Sequence, residues 1–173
     1  GADFLNTWIS PVRYAYAYGQ FRQGDRQRGT MVQVDSRFSM TGANADEWFA
    51  VTPGTEVLLA MGIVRSALTQ NLYKGPDRDE LMDKFQGFAA AEVERLTGVS
   101  ENDIDRIAWE FMHAKPGLAI GGGGAAAGTN GVSTLLAVNL LNYVNGNIGK
   151  PGGVLFNPEP AISGGSSQRL GSH

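Results

Sequence analysis

The sequence contains no cysteine and only two histidines. A chain without thiols forms no disulfide, holds no cysteine-ligated zinc or iron–sulfur cluster and has no thiol nucleophile. His113 falls late in a predicted helix and His173 ends the sequence, and no serine, acid and histidine recur in the pattern of a catalytic triad. We therefore expect this segment to bind a ligand, and we assign no residue a catalytic or metal-ligating role.

An excess of positive charge is also missing. The chain has 14 Lys and Arg against 17 Asp and Glu, which gives a formal charge of −3 at pH 7. Because clustered Lys and Arg are needed to bind a phosphate backbone, this composition argues against a nucleic-acid partner.

Residues 116–149 carry no charged side chain, as a membrane span would require. Four consecutive glycines, Gly121–Gly124, interrupt this stretch, and it contains five asparagines. Each asparagine would need a hydrogen-bond partner in lipid. We therefore predict that the stretch does not cross a membrane.

Hydrophobic residues make up 42% of the 173-residue chain, which is enough to bury a core. Short apolar runs alternate with longer helical patterns, and this alternation predicts an α/β fold with a parallel sheet. About three strands are too few to complete such a sheet, so we infer a portion of a larger protein with a domain junction near 75–100. The predicted helices are 11–22, 57–70, 77–86, 89–96, 101–114 and 132–145, and the predicted strands are 30–35, 48–51 and 118–120.

A glycine-rich loop separates the third predicted strand from the last predicted helix. Gly121, Gly123 and Ala126 have the spacing of a dinucleotide-binding fingerprint, in which bare backbone N–H groups approach a pyrophosphate. Thr129, Asn130 and Gly131 lie between this run and the helix, however, and no acid stands at the distance that a ribose contact requires. The loop is thus compatible with an NAD site, with another phosphate-rich ligand or with a simple connection.

Asp35, Ser36 and Arg37 follow the first predicted strand. Ligands of open α/β sheets bind beyond the carboxyl ends of the strands, where a carboxylate suits a ribose diol and an arginine suits a phosphate. The alternative is a salt bridge or a loop cap.

The turn Pro53-Gly54-Thr55-Glu56 opens the second long helix. Its backbone N–H groups suit an anion, and the Glu56 carboxylate suits the donor edge of a guanine. The alternative is an ordinary capped helix start.

Six blocks, in this order and spacing, give the chain a specific resemblance to the molybdopterin oxidoreductase family, the dimethyl-sulfoxide-reductase superfamily. Their opening block is most similar to polysulfide-reductase-type subunits and to related membrane-complex branches. The blocks are Gly1-Ala-Asp-Phe-Leu-x-Thr-Trp-x-Ser-Pro-Val, Val34-Asp-Ser-Arg37, Ala45-Asp-Glu-Trp48, Pro53-Gly-Thr-Glu56, Thr97-Gly-Val99 and Gly146-Asn-Ile-Gly-Lys-Pro-Gly-Gly153.

The resemblance implies parts of two Rossmann-like domains with parallel sheets. Residues 1–75 would be the later half of one dinucleotide-type domain, 76–156 would be helices and the start of a second, and 157–173 would be a loop or tail. The implied cofactor is molybdopterin guanine dinucleotide with Mo or W, and the implied chemistry is a two-electron oxidation or reduction. The implied cofactor-binding residues are Asp3, Asp35, Arg37, Gly54, Thr55, Glu56, Gly121, Gly123 and Asn130.

The chain departs from the family pattern at Ser36 and Glu56, where relatives usually have Pro and Asp. Some relatives keep the fold without the cofactor, so the resemblance also allows a non-catalytic scaffold in a quinone-linked membrane complex. Between the two, the sequence favours the enzyme.

The implied partners are the rest of the same catalytic subunit, an iron–sulfur electron-transfer subunit and a membrane anchor subunit. The iron–sulfur ligands would lie elsewhere in the full protein. The implied location is membrane-associated on the periplasmic side, with a cytoplasmic location as the alternative.

Overall fold

The computed structural model describes residues 1–23 and 28–157, so residues 158–173 of the predicted tail 157–173, including His173, lie outside the described residues. The described chain is mostly helical and contains a small parallel sheet of two strands. Two short 3₁₀ turns, Gln86–Phe88 and Gly123–Ala126, complete the regular structure of these residues. In chain order the elements are α1 (Pro11–Arg22), β1 (Val32–Val34), α2 (Met40–Ala43), β2 (Glu47–Phe49), α3 (Glu56–Thr69), α4 (Arg78–Lys84), α5 (Ala90–Thr97), α6 (Glu101–His113) and α7 (Gly131–Asn145).

The two strands pair in parallel, with Val32 opposite Glu47 and Val34 opposite Phe49. This pairing confirms the predicted parallel arrangement of the first two strands. On the other edge of β1, the Gly1 amino group donates to Val34 O, and Gln33 Nε2 donates to Ala2 O at 3.4 Å. The first residues of the chain therefore run beside the sheet.

Helix α3 forms the centre of the molecule and packs against α5, α6 and α7. Its residues Leu59, Val64 and Leu68 are at most 1% exposed. Gly62 allows close approach of α5, because a Cβ built there would lie 3.0 Å from both methyl groups of Val93. Side chains from both sides of residue 75 share this core, and the predicted domain boundary stays a prediction.

Capping residues explain why the predicted helix ends agree closely with the observed ones. Ser100 Oγ accepts a hydrogen bond from the Asp103 N–H at 3.1 Å at the start of α6. Gly98 and Gly146 follow α5 and α7 with φ of 82° and 78°, a left-handed conformation that glycine adopts without steric cost. The start of α6 and the ends of α5 and α7 are therefore set by local sequence.

The predicted strand 118–120 is wrong, because a side chain occupies the hydrogen-bonding groups that a neighbouring strand would use. Asn142 Oδ1 accepts from the Ala119 N–H at 2.8 Å, and Asn142 Nδ2 donates to Ala119 O at 2.8 Å. Two more buried amides hold the preceding residues, since Asn145 Nδ2 donates to Phe111 O and Asn147 Nδ2 to Gly117 O. We call Asn142, Asn145 and Asn147 the asparagine ladder.

Asp46 lies just before β2 and Glu47 begins it, and the two acids hold different elements in place. Asp46 pairs with Arg22 of α1 and accepts from the Met31 N–H at 2.8 Å. Hydrogen bonds from Arg22, then from the Met31 N–H, lower the pKa of Asp46 to about 2. Glu47 instead receives both guanidinium nitrogens of Arg106 at 2.9 and 2.6 Å, which ties the sheet to α6.

In the described part of the chain, none of the helices is both long enough and apolar enough to cross a bilayer.

Candidate functional site

Three segments that lie far apart in the sequence meet beyond the carboxyl end of β1. They are the turn before α3, the glycine loop before α7 and the start of the chain. The turn before α3 and the glycine loop before α7 are joined directly, because Asn130 Nδ2 donates to Gly54 O at 2.9 Å across 76 residues of sequence. Both residues are among those that the family resemblance implies for cofactor binding. The structure therefore brings two of the predicted loops together.

The start of the chain lies against the glycine loop. A Cβ built at Gly123 would overlap Gly1 O, and one built at Gly1 would lie 2.7 Å from Ala125 N. Gly123 also has a φ of 59°. Close approach of two backbones and a left-handed conformation together require glycine at this position.

Two acids belong to the elements that border this site. Asp35 follows β1, and Glu56 begins α3. Burial lowers the pKa of the Gly1 amino group, whereas the charges of Asp35 and Glu56 act to raise it.

Asp35 and Arg37 differ in how open they are to solvent. Asp35 is only 6% exposed, and its Oδ1 accepts from the Arg37 N–H at 3.2 Å. The Arg37 side chain is 69% exposed and reaches Asp3 Oδ2 at 3.4 Å through Nη2. Its guanidinium therefore keeps donors for a phosphate group, while Asp35 is held by the turn that follows β1.

Asp3 uses its carboxylate within the protein. Its Oδ1 accepts from the Thr41 N–H at 3.1 Å and from Thr41 Oγ1 at 2.8 Å. Burial disfavours the charged form, but the hydrogen bonds from Thr41, together with the contributions of Asn6 and Arg37, lower the pKa of Asp3 below its ordinary value. Asp3 thus fixes the start of the chain to α2 and positions the loop that carries Arg37.

Gly54, Thr55 and Glu56 leave the first turn of α3 accessible. Gly54 has a φ of 84°, and a Cβ built on it would meet no atom within 4 Å. Thr55 Oγ1 donates to Thr52 O at 2.7 Å and makes no capping hydrogen bond to α3. The Thr55 N–H donates to Thr52 O, whereas the Glu56 N–H has no backbone acceptor among the described residues and is available to a ligand.

The N-terminus of α7, like that of α3, has no side-chain capping hydrogen bond. Asn130 precedes the helix but directs its amide to Gly54 instead of capping α7. The first turns of α3 and α7 therefore lie side by side, each carrying the partial positive charge of a helix N-terminus. Two such ends in contact, with Arg37 on the adjoining loop, suit a ligand that contains a diphosphate.

Gly121 serves packing, since a Cβ built there would lie 3.1 Å from Leu135 Cδ2 of α7. The sequence analysis missed Trp8, whose Cζ2 would lie 3.1 Å from a Cβ at Gly122. Trp8 also packs edge-on against Phe4 and Tyr14, with ring centroids 6.2 and 5.7 Å away. Nothing in the residue spacing links Trp8 to a loop more than a hundred positions later.

The donors and acceptors of this site match the nucleotide part of a dinucleotide cofactor. The helix N-termini and Arg37 suit the diphosphate, and Asp35 and Glu56 are acceptors for hydroxyl and amine groups. Within residues 1–23 and 28–157, no three His, Cys, Asp or Glu side chains are grouped to hold a metal ion.

No protein-family model matches the chain. Among curated proteins, it is similar to the menaquinone reductase molybdopterin-binding-like subunit of Nitratidesulfovibrio vulgaris, with 26% identity over 156 residues that cover 89% of this chain and 22% of the relative. It is 27% identical to dimethyl sulfoxide reductase DmsA of Escherichia coli, over 85% of this chain and 21% of that protein. Formate dehydrogenase H of Escherichia coli is 27% identical over 73% of this chain and 19% of its own length.

The chain thus spans about a fifth of the length of these curated relatives. Among solved structures, acetylene hydratase from Pelobacter acetylenicus superposes on 68% of this chain and 17% of its own, with a TM-score of 0.61 and 22% identity. That similarity shows a common fold over the matched part. Over most of its length, the chain is a distant homologue of subunits of the molybdopterin oxidoreductase family.

Proposed function

We propose that this chain is a segment of the catalytic subunit of a Mo- or W-dependent bis(molybdopterin guanine dinucleotide) oxidoreductase, and that it holds nucleotide parts of the cofactor. The observation that carries the proposal is the Asn130–Gly54 hydrogen bond, which joins the two loops that the family resemblance assigns to cofactor binding. The distant homology to dimethyl sulfoxide reductase and formate dehydrogenase subunits supports it.

In this proposal each part of the site has its own role. Arg37 and the first turns of α3 and α7 hold phosphate groups. Asp35 accepts from a ribose hydroxyl, and Glu56 accepts from the N1–H and the amino group of guanine. Gly121 and Gly123 let the glycine loop pack closely against α7 and the start of the chain, which positions that loop beside the ligand, and Thr55 stabilises the turn through Thr52 O. When bound, the cofactor supplies two-electron redox chemistry at its metal; these residues bind and orient it.

The same proposal covers the architecture around the segment. Residues 1–75 and 76–156 belong to two Rossmann-like domains whose sheets are completed by other parts of the subunit. An iron–sulfur subunit and a membrane anchor subunit carry the electrons, and the complex lies on the periplasmic side of the membrane. Support for these partners and this location comes from the family resemblance alone.

One observation favours a second candidate, a scaffold that has lost the cofactor. The relative from Nitratidesulfovibrio vulgaris is described as a molybdopterin-binding-like subunit of menaquinone reductase. The chain also has Ser36 and Glu56 at positions where the family usually has Pro and Asp. In this candidate the segment keeps the fold and joins an electron-transfer complex without pterin.

Metal and pterin analysis of the intact protein separates the two candidates. The protein is purified from its own host, Mo and W are measured by mass spectrometry, and oxidised pterin is measured by fluorescence. The enzyme hypothesis predicts Mo or W together with pterin and with GMP released by acid hydrolysis. If metal and pterin are both at background, the enzyme hypothesis is wrong and the scaffold hypothesis remains.

A matched pair of variants tests whether the site itself holds the cofactor. Gly54 and Gly98 have φ of 84° and 82°, and a Cβ at either position would meet no atom within 4 Å. Alanine in this left-handed conformation costs roughly 1–2 kcal/mol at each position. We expect Gly54→Ala, but not Gly98→Ala, to lower the pterin content per protein. Equal pterin content in the two variants would contradict the assignment of the Gly54 turn.

A further inference from the structure

A cleft of about 310 Å³ lies at the other end of α7 from the candidate site. Since α7 spans 15 residues at 1.5 Å rise per residue, about 22 Å of helix separates the two. The cleft is thus distinct from the cofactor loops. Its lining residues are Lys115, Pro116, Asn145, Gly146, Asn147, Lys150 and Pro151.

The walls of this cleft are held in place by buried contacts. Asn147, 4% exposed, donates through Nδ2 to Gly117 O, which fixes the loop after α6 to the turn after α7. A Cβ at Gly152 would lie 2.5 Å from Pro116 Cγ, so the turn packs directly on that proline ring. The shape of the cleft therefore follows from backbone that has little freedom to move.

Two ammonium groups face the cleft without a carboxylate between them. Lys115 Nζ donates to Asn145 O at 2.8 Å and to Asn145 Oδ1 at 3.2 Å, which uses two of its three N–H groups. Lys150 Nζ lies 3.7 Å from the Cβ position of Gly146. Among the residues that the structure describes, neither lysine forms an ion pair, and no acid lines the cleft.

The local charge balance is positive. The C-terminus of α7 contributes about half a negative charge, against two positive charges from the lysines. Partial burial, then the neighbouring charge of Lys150, lower the pKa of Lys115. Both effects would be relieved by an anion that approaches the two nitrogens together.

We propose that this cleft binds a phosphate monoester through Lys115 and Lys150. A phosphate monoester carries about −1.5 to −2 charges at pH 7, which matches two ammonium groups better than a single carboxylate does. The cleft has room for more than the phosphate group, and the rings of Pro116 and Pro151 form apolar walls for a compact substituent. The third N–H of Lys115 and all three of Lys150 supply the donors.

Calorimetric titration of the intact protein tests the site, with phenyl phosphate as the probe at constant ionic strength. We expect Lys150→Gln to weaken binding at least tenfold, or about 1.4 kcal/mol. The Lys150 side chain makes no hydrogen bond within the described residues, so this variant should fold normally. Lys150→Arg keeps the charge and should retain most of the affinity.

Lys74→Gln is the matched control, because Lys74 is exposed and lies outside the cleft. Equal weakening by Lys74→Gln and Lys150→Gln would show general charge attraction and overturn the site. Absence of phenyl phosphate binding, or benzoate binding as tightly, would also overturn it. Weaker binding of inorganic phosphate than of phenyl phosphate would support a role for the proline walls. None of these outcomes depends on the pterin cofactor.

Discussion

Replacement of Asn142 by alanine tests the asparagine ladder most directly. Asn142 is 1% exposed, and its amide satisfies both the N–H and the C=O of Ala119 at 2.8 Å. The truncated side chain can make neither bond. Two backbone groups, each paired in the native protein, would then lose their partners.

The expected cost follows from those two groups. A buried polar group left without a partner costs about 1–3 kcal/mol. Ala119 is only partly buried, so water replaces part of what is lost. Alanine also favours the helix over asparagine by about 0.5–0.7 kcal/mol. We therefore expect Asn142→Ala to lower the free energy of unfolding by about 2–4 kcal/mol.

Urea unfolding measures this change, and Asn139→Ala is its control on the same helix. Asn139 is exposed, and its Nδ2 donates only to Leu135 O one turn earlier, so the control should stay within about 0.5 kcal/mol of the native chain. Hydrogen exchange adds a local readout, because the Ala119 amide should lose protection in Asn142→Ala alone. A change below 1 kcal/mol with Ala119 still protected would refute the reasoning.

Two further predictions concern packing and pH. Gly62→Ala should destabilise the chain by about 1 kcal/mol, because overpacking against Val93 costs more than the roughly 1 kcal/mol of gained helix propensity. In a Val93→Ala background the same change should stabilise the chain. Urea unfolding of the native chain, the two single variants and the double variant measures both effects. Asp46 has a folded pKa of about 2, below its ordinary value of 3.8, so the stability from its pair with Arg22 is complete above pH 4 and is lost as pH falls towards 2. Between pH 5 and 2 the native chain should therefore lose more free energy of unfolding than Asp46→Asn, and parallel losses would contradict this account.

The helices could be predicted because their signals are local. Ser100 and Gly98 each fix a helix end through their own backbone and side-chain chemistry. The segment 118–120 shows the limit of such signals, since an apolar triplet beside glycines is as typical of a strand as of the irregular segment that the structure shows. Its hydrogen-bond partner is Asn142, 23 positions later, and no pattern in the sequence specifies that pairing.

The positions of the candidate-site residues could also be predicted in part. Asp35 could be placed because ligand contacts in α/β sheets gather at strand ends, and Gly54 because it precedes a helix. The contact of Gly54 with Asn130 depends on how α3 packs against α7, which spacing along the chain does not encode. Trp8 was missed for the same reason, since its contact with Gly122 arises only from tertiary packing.

Helix α1 has no buried residue, unlike α3, α6 and α7. Its far end is held by the Tyr18 hydroxyl on Asn44 O and by the Arg22 guanidinium on Asp46. Detaching it would break these polar contacts and the edge-on packing of Tyr14 against Phe4 and Trp8 but would uncover no buried residue of α1, so we expect its opening free energy to lie well below that of global unfolding. We therefore expect residues 11–22 to separate as a unit while the core around α3 stays intact.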